Sequence, residues 1–262
     1  MSISKLARFP LAVLISVAVP SLCSATVIAI PASLTITVGE DKYSPELQIL
    51  KKSPVLPTLA GREEAAVLCP GPIEGVCYSI PAFSAETPDY KLSVSAILNP
   101  DPFVTFVVGL VNLNNAPLFA TFTYSTAVVP ALYNFATSSL GVTLTDIDNN
   151  GASISYMLNS QLNGIAPAGM DMGVDLSGTC TDGAGLPQTV VCPNSKVSSF
   201  GPALGTSLSA VLTVTLSAKD SFSSTGIVEC FPVPEPGLLS FGTIGIGLGI
   251  SGLIIRRLIQ KA

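Results

Sequence analysis

Apolar residues recur at every second position along much of this chain, and this period limits the possible fold more than any other feature. The alternation is clearest in residues 34–38, 90–98, 140–144 and 208–216, where serine and threonine fill many of the intervening positions. A period of two places the apolar side chains on one face of a β-strand. No long stretch of residues 26–232 has the helical period of 3.6, so the sequence predicts an all-β domain.

Short segments of turn-forming residues join two pairs of these predicted strands. The pairs are residues 103–113 and 118–126 across the turn 114–117, and residues 140–145 and 152–158 across the turn 146–151. Asparagine, aspartate, glycine and proline fill these turns, so we expect each pair to form a hairpin. Residues 102–145 contain no charged residue, which favours a central position in a sheet. The predicted fold is an antiparallel β-sandwich or a jelly-roll-like domain over residues 26–232.

The charges are unevenly distributed, and their positions separate the two ends of the chain from its body. Of the 262 residues, 12 are Lys or Arg and 17 are Asp or Glu. Five of the cations lie in the terminal segments, so residues 26–235 hold seven cations and all 17 anions, a net charge of −10. An acidic body repels the phosphate backbone, so a nucleic-acid partner is not expected. Residues 39–68 are irregular and predict a long surface excursion, with a short helix over 61–68.

The first 25 residues have the three parts of a secretory signal peptide. Lys5 and Arg8 form a basic start, residues 9–19 form an apolar run, and small residues end at Ala25. Signal peptidase is therefore an expected partner, with cleavage after Ala25. The alternative is an uncleaved membrane anchor, for which the apolar run is short.

The C-terminal segment, residues 233–262, combines a short motif, an apolar stretch and a basic pair. Val233, Pro234, Glu235 and Pro236 precede the uncharged residues 237–255, and Arg256 and Arg257 follow directly. Eighteen residues of helix extend about 27 Å, close to the roughly 30 Å of a hydrocarbon core. We therefore expect a transmembrane helix over 237–255, with the arginines on the cytoplasmic side.

At these residues the chain resembles the PEP-CTERM proteins of Gram-negative bacteria. In that family the Pro-Glu-Pro motif, the helix and the basic cluster are recognised by an exosortase, a membrane-embedded cysteine protease. The resemblance implies that Val233, Pro234, Glu235, Pro236, Arg256 and Arg257 form a sorting signal. It also implies an inner-membrane stage, followed by delivery to the cell surface or to an extracellular polysaccharide matrix. Residues 95–160 look like the body of uncharacterised members of the family. If the tail is not cleaved, the chain is a type I membrane protein.

Five cysteines remain after removal of the signal peptide, and four of them form two close pairs in sequence. Cys69 and Cys77 flank a loop that contains proline and glycine, and Cys180 and Cys192 flank a second polar loop. In an oxidising compartment such pairs usually become disulfides. The fifth cysteine, Cys230, is either free or exchanges with the second pair, because the sequence does not determine connectivity.

One turn contains the oxygen-bearing side chains that calcium prefers. Asp146, Asp148 and Asn150 alternate before Gly151, as in the opening half of a calcium-binding loop. Met157 occupies the position where such a loop carries a bidentate glutamate. A solvated turn is the alternative interpretation, since Asp, Asn and Gly are also the usual turn residues.

The chain contains no histidine, which removes the common catalytic arrangements. Neither a Ser-His-Asp triad nor a histidine-ligated metal can form, although paired carboxylates remain a possible glycosidase arrangement. We expect a non-catalytic protein without a cofactor other than the calcium considered above. The sequence favours an exported structural or adhesive protein, in contact with extracellular polysaccharide. A glycan- or calcium-binding module is the alternative.

Overall fold

The computed structural model describes residues 32–50, 77–100, 102–183 and 188–233, and all of its secondary structure is β. Within these ranges there is no helix, so none is long and apolar enough to cross a membrane. The strands are β1 (Ser33–Val38), β2 (Asp41–Tyr43), β3 (Gln48–Leu50), β4 (Cys77–Glu86), β5 (Tyr90–Asn99), β6 (Phe103–Asn112), β7 (Leu118–Thr145), β8 (Ser153–Leu162), β9 (Met170–Asp171), β10 (Leu176–Thr181), β11 (Thr189–Leu216) and β12 (Ser221–Pro232). The predicted all-β, antiparallel class is confirmed.

The fold is organised around two strands of 28 residues each, β7 and β11. They pair antiparallel from Leu118 opposite Leu216 to Thr145 opposite Thr189. Near the middle of this strand pair the register shifts twice, between Ser199 and Ala203 and between Gly205 and Ser207. The other strands that pair with β7 and β11 differ on the two sides of these shifts. On one side of the shift, β1, β2, β8, β9 and β10 complete a first half-sheet, and on the other side β12, β6, β5, β4 and β3 complete a second.

The inner faces of the two half-sheets pack against each other. Phe106 on β6, in the second half-sheet, stacks on Tyr124 on β7, in the first, with ring centroids 4.7 Å apart. Both side chains are almost completely buried, and they belong to one apolar cluster that draws on both half-sheets. Burial of a large apolar side chain stabilises a fold by about 1.5–3 kcal/mol, so this shared core holds the half-sheets together. The arrangement is consistent with the predicted β-sandwich.

The predicted strands are present, but the two predicted hairpins are wrong. β6 pairs with β5 and β12, whereas β7 pairs with β1, β11 and β12, so residues 113–117 connect the two half-sheets. Residues 146–152 do the same, because β8 pairs with β9, β10 and β11 but not with β7. Each of these strands has one apolar face, and placing consecutive strands in opposite half-sheets lets both faces contribute to the same core. The predicted central position is confirmed, since β6 and β7 both have neighbours on each side.

Buried polar side chains hold these connections together at one end of the molecule. Asn112, which is completely buried, donates from its amide to the carbonyls of Ala116 and Ser217, both at 2.8 Å. Asp220, also completely buried, accepts from the backbone N–H of Ile147 at 3.4 Å and from the Ser217 hydroxyl. The connections after β6, β7 and β11 are thus joined by hydrogen bonds between buried side chains and backbone groups.

Four further sequence expectations fall partly or wholly outside the described residues. The signal peptide (1–25) and the transmembrane helix (237–255) lie outside them, as does the short helix expected over 61–68. In the described part of the expected surface excursion, the chain forms β2 and β3, which the sequence analysis missed. These strands have three residues each, too short for an alternation of apolar residues to be visible.

Candidate functional site

The outer face of the first half-sheet carries an aligned array of hydroxyl groups. Thr37, Thr121 and Thr213 lie side by side on β1, β7 and β11, and Thr35 lies opposite Thr123 in the next row. The array continues onto β8 and β10, and we call it the hydroxyl face. Its outward residues are Thr35, Thr37, Phe119, Thr121, Thr123, Val211, Thr213, Thr215, Ser153, Ser155, Met157, Asn159, Ser177, Thr179 and Thr181.

The side chains of the hydroxyl face carry no charge, and several of its hydroxyl groups make no described hydrogen bond within the protein. No residue of that set is ionisable, and among the described residues charged groups lie at its rims, with Lys42 opposite Thr37 and Asp175 directly before β10. Among the described hydrogen bonds, none uses the hydroxyl of Thr37, Thr121, Thr213 or Thr215. Phe119, half-exposed at 50 %, is an aromatic ring within this array. The face therefore offers hydrogen-bonding groups and one apolar ring to an external partner.

The outer face of the second half-sheet has two shallow depressions, of about 320 and about 270 Å³. The first is lined by Ser79, Ile80, Ser95, Ala96, Ile97, Thr105, Phe106 and Val107, and the second by Lys91, Leu92, Ser93, Gly109, Leu110, Val111, Thr143, Thr145, Ser221, Phe222 and Ser223. Gly109 helps to form the second, since a β-carbon there would lie 2.6 Å from the Ser93 hydroxyl. The Lys91–Glu86 ion pair, 2.6 Å long, places charge beside this depression, in contrast to the hydroxyl face.

Two of the three predicted calcium ligands lie together, and the structure adds a third carboxylate. Oxygens of Asp146, Asp148 and Asp220 all lie within 4.8 Å of one another. The third predicted ligand, Asn150, lies beside this cluster, since its amide donates to the Asp148 carboxylate at 2.7 Å. Asp220 is more than 70 residues from the other two in sequence, so no local spacing pattern reveals it.

Backbone hydrogen bonds already engage much of this carboxylate cluster. The two oxygens of Asp146 accept from the N–H groups of Asn149 and Gly151, at 2.8 and 2.9 Å. Asn149 and Gly151 both have positive φ, 65° and 98°, so the carboxylate supports a tight turn. Calcium takes six to eight oxygen ligands, so three carboxylates that each bind through one oxygen would need water or further groups to complete the set. The cluster anchors the connection between the half-sheets, and calcium binding stays a prediction.

Burial sets the protonation behaviour of Asp220. Desolvation raises the pKa of its carboxyl above the ordinary range, while the hydrogen bonds from Ser217 and Ile147 lower it. The negative charges of Asp146 and Asp148 raise the pKa further. The charged form of Asp220 is therefore a source of local repulsion in the folded protein.

Two carboxylates at another corner are also bound by the backbone. Desolvation raises the pKa of Asp175, whose carboxylate accepts from the Ser160 N–H at 2.8 Å. Asp171 accepts from the N–H of Gly173 at 2.6 Å. Both residues thereby shape the segment between β9 and β10.

One predicted disulfide is present, and it closes an open side of the sandwich. Cys180 on β10 and Cys192 on β11 are joined by an S–S bond of 2.02 Å. At Cys180 the strand β10 belongs to the first half-sheet, whereas at Cys192 the strand β11 belongs to the second. The bond therefore links the edges of the two half-sheets. Cys69 lies outside the described residues, as does the side chain of Cys77, so this second pairing stays a prediction.

The fifth cysteine is a buried free thiol. Cys230 is 2 % exposed, and its sulfur lies 3.0 Å from the sulfur of Met172. Burial, together with the charge of Glu229, raises the pKa of the Cys230 thiol to about 12. A neutral, buried thiol is a weak nucleophile, so Cys230 is part of the core.

The predicted signals at the two ends remain untested by this structure. Ala25, Pro234, Glu235, Pro236, Arg256 and Arg257 lie outside the described residues. Val233 directly follows β12, and its N–H donates to the carbonyl of Leu132 at 2.6 Å. The β-domain thus extends up to the first residue of the predicted sorting motif.

The fold and its outer faces define this chain as an antiparallel all-β protein of two facing half-sheets. No protein-family model and no curated protein matches it. Among solved structures, it is similar to TmCBM61 in complex with β-1,4-galactotriose (8 % identity, 58 % of this chain and 88 % of that chain, TM-score 0.25). It is also similar to a family 11 carbohydrate-binding module from Clostridium thermocellum in complex with a mixed-linked tetrasaccharide (10 %, 58 % and 88 %, TM-score 0.24). A third similar structure is that of infectious bursal disease virus, Gx strain (10 %, 79 % and 57 %, TM-score 0.27). These scores are too low to carry an argument about function.

Proposed function

We propose that this chain is an exported, non-catalytic protein that acts by surface contact, as a structural or adhesive component of a Gram-negative cell surface or its extracellular polysaccharide matrix. The observation that carries the proposal is the hydroxyl face, a broad uncharged surface on an otherwise acidic body. Contact over such a face needs many weak interactions rather than one reactive group.

The signals and the disulfide both support the proposed compartment. Disulfides persist outside the cytoplasm, so the Cys180–Cys192 bond supports export. The resemblance of residues 233–262 to the PEP-CTERM tail supports a route through signal peptidase, the inner membrane and an exosortase-type protease. In this proposal Pro234, Glu235 and Pro236 are the cleavage region, and Arg256 and Arg257 hold the cytoplasmic end.

Fractionation of the producing bacterium tests export. The chain is expected in the surface or matrix fraction, and a variant lacking residues 1–25 is expected to remain in the cytoplasm. If the unaltered chain also stays in the cytoplasm, the proposal is wrong. Recovery only in the inner membrane, with the tail intact, supports a permanent type I membrane protein instead.

Calcium binding is a second candidate function, favoured by the proximity of Asp146, Asp148 and Asp220. A divalent cation would offset the repulsion among these carboxylates, which raises the pKa of Asp220. Isothermal titration with millimolar calcium tests it. Heat that disappears in Asp148→Asn supports a site, and no heat removes this candidate.

A further inference from the structure

We propose that the hydroxyl face is a binding surface for a neutral polysaccharide. The inference rests on the proposed function, because it names the partner that an adhesive matrix protein would contact. It goes further by assigning that contact to one face and to specific side chains.

The register of the strands creates a regular array of hydroxyls that the sequence alone does not reveal. Thr121 on β7 lies between Thr37 on β1 and Thr213 on β11. Neighbouring strands are about 4.8 Å apart, and every second residue along a strand is about 6.7 Å further on. A polysaccharide also presents hydroxyls at regular intervals, and it can contact several rows at once.

The distribution of charge favours a neutral polymer. The outward residues of the hydroxyl face carry no charge, while the chain around it has a net negative charge. The rims carry one charge of each sign, Lys42 and Asp175, so the acidic body decides the balance: it repels an anionic polymer, whereas a neutral polymer meets no such repulsion. A charged partner would also lose hydration at an uncharged face without gaining an ion pair.

The ring of Phe119 supplies an apolar contact inside the array. It is half-exposed, and it lies on β7 opposite Thr215 of β11. An aromatic ring can pack against the C–H groups of a sugar ring while the neighbouring threonines exchange hydrogen bonds with its hydroxyls. Each such hydrogen bond is weak in water, so binding depends on several acting together along the polymer.

Two other occupants fit this face less well. Stable interfaces between protein copies have apolar cores rich in aromatic residues, whereas this face offers only Phe119, Val211 and Met157 as large apolar groups. An ice crystal needs a flat array, whereas β-sheets twist and Phe119 stands out from the threonine rows.

A pull-down assay tests the inference. The full-length chain is purified in mild detergent, and its retention on insoluble polysaccharides is measured. The probes are cellulose, curdlan, chitin and galactan as neutral polymers, and calcium alginate beads as an anionic one. The test variants are Thr121→Val with Thr213→Val, which removes two central hydroxyls, and Phe119→Ser. The matched control, Thr143→Val with Thr225→Val, removes two hydroxyls from the outer face of the second half-sheet. Valine keeps the shape and strand preference of threonine, and equal thermal midpoints verify folding.

We expect the unaltered chain and the control to bind at least one neutral polymer. Each test variant should bind it about tenfold more weakly, consistent with the loss of two hydrogen bonds or of the ring contact. Binding to no neutral polymer, preference for alginate, or equal losses in test and control variants would overturn the inference. Dimerisation or inhibition of ice recrystallisation that depends on Thr121 and Thr213, without polysaccharide binding, would also overturn it. Fractionation of the same variants distinguishes this failure from that of the proposed function, since export does not require the face.

Discussion

Asn112 is a single residue that joins two of the connections between the half-sheets. Its amide donates to carbonyls on both connections, and its own oxygen accepts from the N–H of Asn114 at 3.0 Å. Removing the side chain leaves two partly buried carbonyls without this donor. Asn112→Ala should therefore lower the free energy of unfolding by about 2–3 kcal/mol, measured by urea denaturation. Asn159→Ala, on the partly exposed outer surface, is the control and should change it by less than about 0.5 kcal/mol. Equal effects would contradict this role.

Asp220 makes stability depend on pH in a direction that its environment determines. Its pKa is raised in the folded protein, so the fold favours the protonated form. Stability from this group is complete below the ordinary carboxyl pKa and is lost as pH rises through the raised value. Asp220→Asn removes the charge and keeps an acceptor oxygen, so its unfolding free energy should vary less over that range. Urea denaturation across pH 4–8 measures this, with the exposed Asp89→Asn as control. A slope unchanged by Asp220→Asn would show that Asp220 is not responsible.

The three cysteines whose side chains the structure describes should differ in reactivity. Without denaturant, Cys180, Cys192 and Cys230 should all resist alkylation, the first two because of their disulfide and the third because of burial and its raised pKa. In denaturant without reductant only Cys230 of these three should react, and reductant should expose the other two. Peptide mass spectrometry measures this. Alkylation of Cys180 or Cys192 without reductant would contradict the disulfide.

At the level of strands, the sequence determines where strands occur better than which strands pair. Alternation located β1 and β5 because each has one buried face. The same alternation is equally compatible with a hairpin and with a connection between two half-sheets. Turn residues at 114–117 and 146–151 did not distinguish these cases, because the contact between Phe106 and Tyr124 that decides between them is non-local.

The disulfide connects two secondary-structure elements, because it links β10 to β11 at an open side of the sandwich. In the chain-entropy account, a loop of this length contributes about 3 kcal/mol by restricting the unfolded chain. The double variant Cys180→Ser with Cys192→Ser should lose about that much unfolding free energy in urea denaturation. The single variant Cys230→Ser serves as a comparison for loss of a buried sulfur. A double variant as stable as the parent would show that the remaining contacts hold the edges closed.

At the level of the whole molecule, the candidate surface was only partly visible in the sequence. Thr35 and Thr37, Thr121 and Thr123, and Thr213 and Thr215 are spaced by two residues, which marks each pair as sharing a face. Their alignment into rows depends on the register of strands that are far apart in sequence. The approach of Asp220 to Asp146 has the same origin, since two connections meet at one end of the sandwich.

The central claim is that the β-domain is delivered outside the cell. The most direct test is the mass of the protein recovered from the cell surface or medium. The account predicts a chain that begins after Ala25 and ends near Pro236, with two fewer hydrogens for each disulfide. An intact C-terminus, with Arg256 and Arg257 still attached and the protein held in the inner membrane, would contradict it.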